Sequence, residues 1–183
     1  LDKPEINLFA STGTGVAHCP CSNMRLASGI APIRHMLNAG VKVGLGVDGS
    51  ASNDSGHMLN EARQAMLLQR VMQGGDAMTA REALATATRG GAAVLSRNDI
   101  GVLASGKSAD IAAFDCRGID FAGAAWDPLA ALIFCGPSKA AFTIINGQVV
   151  VANGTLQTLD EAELIQKHQM MATDLMKKSG HAG

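Results

Sequence analysis

The sequence predicts an α/β fold in which a parallel strand–helix–strand unit is joined to a small antiparallel β segment and a terminal helix. Three observations carry that prediction. The apolar runs Gly15–Pro20 (GVAHCP) and Val41–Val47 (VKVGLGV) bracket a helical stretch at the spacing of a βαβ unit. From Asn98 to Leu156 the texture changes to short strands and turns, with Asn146-Gly147 as a hairpin turn. Thr158 and Glu161 then make a capping box ahead of a periodic run to about Lys178.

Taken in order, the opening LDKPEINLFASTGTG shows no evident helix cap or strand signal and reads as the inside of a longer polypeptide. Gly15–Pro20 is a strand bounded by glycines and proline, and Cys21–Gly29 a polar loop. Ile30–Ala39 reads as a helix with Pro32 in its first turn and Gly40 as its stop. Val41–Val47 is the next strand, ending abruptly at Asp48 before a run of small and hydroxylic residues to Gly56. Met58–Met72 is a helix with Leu59, Ala62, Met66 and Val71 loosely periodic, ended by Gly74 and Gly75. Thr79 and Glu82 cap a third helix to about Thr88, and Ala92–Leu95 is a short apolar segment after it. Strands follow at Ala109–Phe114, Ala141–Ile145 and Gln148–Val151, with a second turn at Asn153-Gly154. The tail Ser179–Gly183 is expected to fray.

With 183 residues, 47% of them apolar, and a net charge of −1, the chain suits a globular protein that buries a core. Lysines and arginines are scattered, which argues against nucleic acid as a partner. No apolar run reaches the length of a bilayer span, so no membrane partner is expected. The cysteines Cys19, Cys21, Cys116 and Cys135 lack a disulfide framework, and a cytoplasmic protein is the expectation.

Two glycine motifs invite a nucleotide reading. Gly101–Ser108 (GVLASGKS) matches the P-loop pattern letter for letter, and a P-loop nucleotide-binding module at 101–108 is the alternative of another class. Such a loop must open a helix, whereas ADIAAFD after it is strand-like. Gly44-x-Gly46-x-x-Gly49 matches the dinucleotide fingerprint, but Asp48 inside that turn would repel a pyrophosphate.

The residues that remain for chemistry gather at the strand ends. An apolar strand delivering Asp48 at its C-terminal tip is where α/β folds do chemistry, although Asp-Gly is also ordinary turn chemistry. His18 ends the preceding strand on the same side, as a site residue or a hydrogen-bonded structural one. His57 opens a helix beside the Asp48 loop, facing either a pocket or solvent. His35 and His168 fall inside helices and His181 in the tail. The histidines form no H-x-H or H-E-x-x-H, so this segment does not supply a complete catalytic zinc site. Ser50, Ser52 and Ser55 lack a nucleophile elbow and read as hydrogen-bond donors to a polar ligand.

The stretch AHCPCSNMRLASGIAPIRHMLNAGVKVGLGVDGSASND resembles strands seven and eight of the deaminase branch of the amidohydrolase superfamily, through A-H-x-P-x-S-N, S-G-x-A-P and G-x-D-G-x-A-S-N. IGVLASGKSADIAAFD is similar to the small β domain of those enzymes, which accounts for the P-loop match, and FTIINGQVVVANG to its closing hairpin. VDGSASNDSGHML, LNEARQAMLLQR and WDPLAALIFCGP most resemble 8-oxoguanine deaminases, with triazine-ring hydrolases next.

The resemblance implies the C-terminal part of a metal-dependent (β/α)8 barrel. Residues 1–97 would hold its last strands and helices, 98–157 a small β domain segment, and 158–183 the C-terminal helix and tail. It implies one divalent metal, zinc before iron, and hydrolytic deamination of a purine-like ring, 8-oxoguanine to urate and ammonia. An s-triazine or another heterocycle is the alternative substrate. Asp48 would be both metal ligand and proton carrier. Ser52 and Asn53 would line the ring, with His18 and Asn23 supporting it and His57 at the pocket's side. The H-x-H of strand one, the histidines of strands five and six and the catalytic glutamate of the family have no counterpart in this chain. The expected partner is therefore an N-terminal half of the same polypeptide, with homo-oligomers also open.

Overall fold

The computed structural model describes residues 1–136 and 139–180; His181 and the tail beyond Gly180 lie outside the described residues. Its first element is a helix, α1 (Lys3–Thr12), where the sequence had suggested no cap. The signal is the Asp2–Glu5 capping box: Glu5 N donates to Asp2 Oδ1 at 2.9 Å and Asp2 N to Glu5 Oε2 at 2.7 Å. Gly13, at φ 68°, ends the helix in the left-handed conformation that glycine adopts without strain.

The parallel unit is present. Strand β1 (Gly15–His18) pairs with β2 (Lys42–Leu45) in parallel, Gly15 opposite Lys42 and His18 opposite Leu45. Their connection holds two helices rather than a loop and one helix. Pro20, with φ already set, opens α2 (Pro20–Arg25), a segment expected as polar loop. The second, α3 (Ile33–Asn38), follows Pro32. An amide of its first turn, which has no partner within the helix, is met from elsewhere: Arg34 N donates to the buried Gln69 Oε1 at 3.0 Å.

Gln69 belongs to α4 (Met58–Gln73), whose buried face runs Glu61, Ala62, Ala65, Met66 and Gln69. Val71, read as part of the apolar face, is 81% exposed instead. Thr79 and Glu82 do cap α5 (Ala80–Ala85) with a reciprocal box. The chain then runs without a break through a π-helical turn, Thr86–Gly90, into α6 (Gly91–Val94). That turn lies against β2, where a side chain on Gly90 would collide with the Val43 carbonyl and one on Gly44 would meet Gly91 Cα at 2.9 Å.

Two apolar clusters surround this unit. Ile6, Ile33, Met36, Val41 and Val43 join α1 and α3 to β2. Ala62, Met66, Met78, Ala80, Ala83 and Ile133 join α4 and α5 to α7 (Pro128–Phe134). Helix α7 interrupts what the sequence suggested was only strands and turns; Asp127 caps it by accepting from Ala130 N at 3.0 Å.

The second sheet is antiparallel, in the order β3 (Ile111–Ala113), β4 (Phe142–Ile145), β5 (Gln148–Ala152), β6 (Thr155–Leu156). Asn146 and Gly147 both have positive φ, 48° and 78°, the requirement of the two-residue hairpin turn. Asn153-Gly154 repeats it. The terminal helix α8 (Glu161–Lys178) is capped by Asp160, which accepts from Ala162 N and Glu163 N, and not by Thr158. Glu161 instead takes the Leu156 amide at 3.1 Å. No helix among the described residues is long and apolar enough to cross a membrane.

Candidate active site

Strand β2 ends at Leu45, and three residues later the chain turns at Asp48 with φ 64°, a left-handed conformation that few residues other than glycine, asparagine and aspartate tolerate. The turn lifts an exposed carboxylate to the end of the parallel pair. Oδ2 accepts from Ser22 Oγ at 2.6 Å and Ser52 Oγ at 3.1 Å, and Oδ1 from Gly49 N at 2.8 Å. These donors, Ser22 foremost, hold the Asp48 carboxyl below its ordinary pKa, so it is an anion at neutral pH. A carboxylate has about four acceptor positions. The three in use leave one, on the less occupied Oδ1, for a proton or a cation.

Ser22 was not among the residues singled out in the sequence. It is buried in α2, and the signal that could have found it was its place as the serine of the A-H-x-P-x-S-N motif, in a segment expected as loop and now seen to be helical. Of the expected site residues, Ser52 joins Asp48 directly. Asn53 turns the other way. Its Nδ2 donates to Val47 O at 2.8 Å and to Glu61 Oε1 at 2.7 Å, so this buried amide is spent on the protein itself.

His18 ends β1 as expected and is buried, 3% exposed, with Nε2 lacking a hydrogen-bond partner among the described residues. Burial pushes its pKa down to about 4, against the pull of the Glu61 carboxylate. It is neutral at physiological pH. His57 serves as N-cap of α4, Nδ1 accepting from Asn60 N at 3.3 Å. Asn23 sits half-buried on α2, its carbonyl accepting from Ser28 N at 2.9 Å.

Glu61, also absent from the sequence-based candidates, is fully buried behind these groups. It accepts from Cys21 N at 3.1 Å besides Asn53. The Cys21 thiol is pushed up to about 12 by burial and by Glu61, and the Cys19 thiol is raised by burial, Asp48 and Glu61. Neither is a thiolate nucleophile at neutral pH. Beside the cluster lies an open cleft of about 230 Å³ between α2 and the Asp48 loop, lined by Arg25, Ser52, Asn53, Asp54 and Asn60 among others. Arg25 and Asp54 form an ion pair at its rim.

Among the described residues no group of three histidine, cysteine or acidic side chains is placed to hold a metal ion. Asp48 fits as a single ligand: anionic, exposed and with an acceptor position left over. The P-loop alternative finds no support in the structure. The segment 101–108 is followed by strand β3 rather than a helix, Lys107 Nζ donates to Asn98 O, and Ser108 N donates to Asp99 O at 2.8 Å.

Residues 1–150 match the Amidohydrolase family. The chain belongs to the amidohydrolase family. This amidohydrolase chain is 48% identical over 176 residues to the 8-oxoguanine deaminase of Pseudomonas aeruginosa, an alignment covering 96% of this chain and 39% of that protein. Its fold is similar to crystal structures of two zinc-containing relatives. One is atrazine chlorohydrolase TrzN from Arthrobacter aurescens TC1 complexed with zinc, with a TM-score of 0.87 and 38% identity over 93% of this chain and 38% of that one. The other is an adenosine deaminase from Xanthomonas campestris with bound zinc, with a TM-score of 0.91 and 32% identity over 97% of this chain and 41% of that one. The amidohydrolase chain thus spans about two-fifths of the length of the relatives it matches.

Proposed function

We propose that this chain is the C-terminal part of a metal-dependent amidohydrolase that removes an amino group from a purine-like ring by hydrolysis. The reaction consumes water and releases ammonia, and 8-oxoguanine to urate is the favoured case. The observation that carries the proposal is Asp48: an anionic carboxylate lifted beyond a parallel strand, braced by Ser22, Ser52 and Gly49, with an acceptor position remaining. Residues 1–97 then belong to a (β/α)8 barrel, 98–157 to a small β domain, and 158–183 form the closing helix and tail. The remaining ligands and the general base are assigned to an N-terminal half of the same polypeptide.

A divalent metal at such a site, zinc first and iron second, supplies the positive charge that lowers the pKa of water to near neutrality. With Oδ2 engaged by the two serines, the one acceptor position left on Oδ1 would hold the metal, and the same carboxylate would carry the proton of the attacking water once a serine or the metal yields it an oxygen lone pair. Ser52 borders the cleft beside Asp48 and, its hydroxyl hydrogen directed to Asp48, orients the ring by accepting a hydrogen bond at its hydroxyl oxygen. Asn53 and His18 shape the floor from buried positions, and Asn23 and His57 stand at the edges. The neutral, buried His18 leaves Asp48 as the titratable group at this strand end suited to carrying a proton.

The 48% identity to an 8-oxoguanine deaminase supports a fused purine ring. The likeness to a triazine hydrolase supports the second reading, a smaller s-triazine or related heterocycle. Four unpaired cysteines support a reducing, cytoplasmic setting.

The test is Asp48→Asn in the intact protein, because asparagine keeps the size and tolerates φ 64° while removing the anion. Ammonia release from 8-oxoguanine should fall at least about 1,000-fold, the scale of losing a residue that acts in the reaction itself, with the fold retained and the metal content reduced. Turnover near the wild-type rate would reduce Asp48 to a turn residue. Comparing kcat/KM for 8-oxoguanine and an amino-s-triazine separates the two substrate readings.

A further inference from the structure

Glu61 lies one turn into α4, where a helix usually leaves a carboxylate in water, yet it is completely enclosed. A buried anion is retained only where donors surround it. Here each oxygen addresses a different segment leading to Asp48. Oε1 accepts from Asn53 Nδ2 at 2.7 Å, and the same Nδ2 donates at 2.8 Å to the carbonyl of Val47, the residue before Asp48. Oε2 accepts at 3.1 Å from the amide of Cys21, the residue before Ser22, whose Oγ donates to Asp48 Oδ2 at 2.6 Å.

The two arms meet at one side chain. Through Asn53, Glu61 fixes the backbone on which Asp48 is mounted; through Cys21, it fixes the hydroxyl that orients Asp48's carboxylate. We propose that Glu61 is a positioning residue, the buried anchor that holds the Asp48 carboxylate in its working geometry from both sides. This inference rests on the reading of Asp48 as metal ligand and proton carrier.

A carboxylate offers an acceptor to each arm, whereas glutamine offers one acceptor and one donor. In Glu61→Gln one arm therefore loses its bond and sets N–H against N–H. Groups that orient a metal ligand in this way typically affect metal affinity or activity by about 10- to 100-fold.

In the full-length enzyme, Glu61→Gln should lower kcat for 8-oxoguanine about 10- to 100-fold and weaken zinc affinity in chelator competition by about 10-fold or more. KM should stay within about 2-fold, the signature of a loss confined to the reacting geometry, and unfolding should remain cooperative. In a Ser22→Ala background the Glu61→Gln loss should shrink, because both changes act on one carboxylate. Wild-type kcat and zinc affinity in Glu61→Gln, or losses that multiply independently of Ser22, would overturn the proposal. Glu61→Met, similar in volume and without charge, gives the same readouts if the glutamine variant does not fold. Failure of both to fold would leave Glu61 a purely structural residue and also overturn it. A wild-type enzyme that binds zinc but leaves the rings unchanged counts against the deaminase reading alone, since zinc affinity still decides Glu61. One that does neither overturns both.

Discussion

At the residue scale, His18 shows how the site's surroundings couple to stability. Its imidazole is buried at the end of β1 and its pKa is pushed from the ordinary 6.5 down to about 4. Between those values an unfolded chain binds a proton there that the folded chain does not. Stability is thus fully present above about pH 6.5 and falls as the pH drops toward 4, by a few kcal/mol at most for a single shift of this size, ~1.4 kcal/mol per unit. Urea unfolding of the protein at stepped pH should show that decline, and His18→Gln, which does not titrate, should flatten it. An unchanged slope in the variant would assign the decline to other groups. The two key acids differed in how legible they were. Asp48 stood out because an apolar strand ended on it. Glu61 did not, because a glutamate in the first turn of a helix fits its dipole and reads as solvated. Only the stripe Glu61, Ala62, Ala65, Met66, Gln69, with two polar residues among small apolar ones, carried the sign of a buried polar face.

At the element scale, the glycine pair Gly90-Gly91 lets the π-helical turn approach β2, the strand that leads to Asp48. A Cβ on Gly90 has no room beside the Val43 carbonyl, whereas one on Gly91 meets nothing within 4 Å. Gly90→Ala should therefore destabilise the protein by about 2 to 4 kcal/mol through backbone overlap. Gly91→Ala, in a helical conformation, should be neutral or slightly stabilising. Equal melting temperatures for the two variants would show that the strand yields. The sequence made the strands, the hairpin turns and the α5 capping box plain, because each has a local chemical cause. It hid α2 and α7, which are short and start at prolines within runs that look like turns, whereas the start of α1 was marked by its Asp2–Glu5 capping box. The π-helical turn had no local signal at all, being set by contact with β2.

At the scale of the whole molecule, the described sheets leave much unpaired. Parallel sheets are normally covered on both faces and extended at both edges, yet β1 and β2 pair only with each other among the described residues. Helix α8 has no buried residue, and Leu164, Met171 and Leu175, spaced along one side of it, are at least half exposed. Trp126 and Ile119 are each 86% exposed. Apolar surface of this extent marks faces that bind something else, and the relatives are about two and a half times as long as the aligned region. Residues 1–183 produced alone should therefore associate through open strand edges and bare apolar faces, bind a hydrophobic dye and lack turnover. Supplying the proposed N-terminal half, in trans or in the same chain, should abolish dye binding and sharpen the melting transition. A 183-residue chain that runs as a monomer in size-exclusion chromatography and melts cooperatively by itself would show that its two clusters, around Ile33 and Met66, suffice without the rest of a barrel.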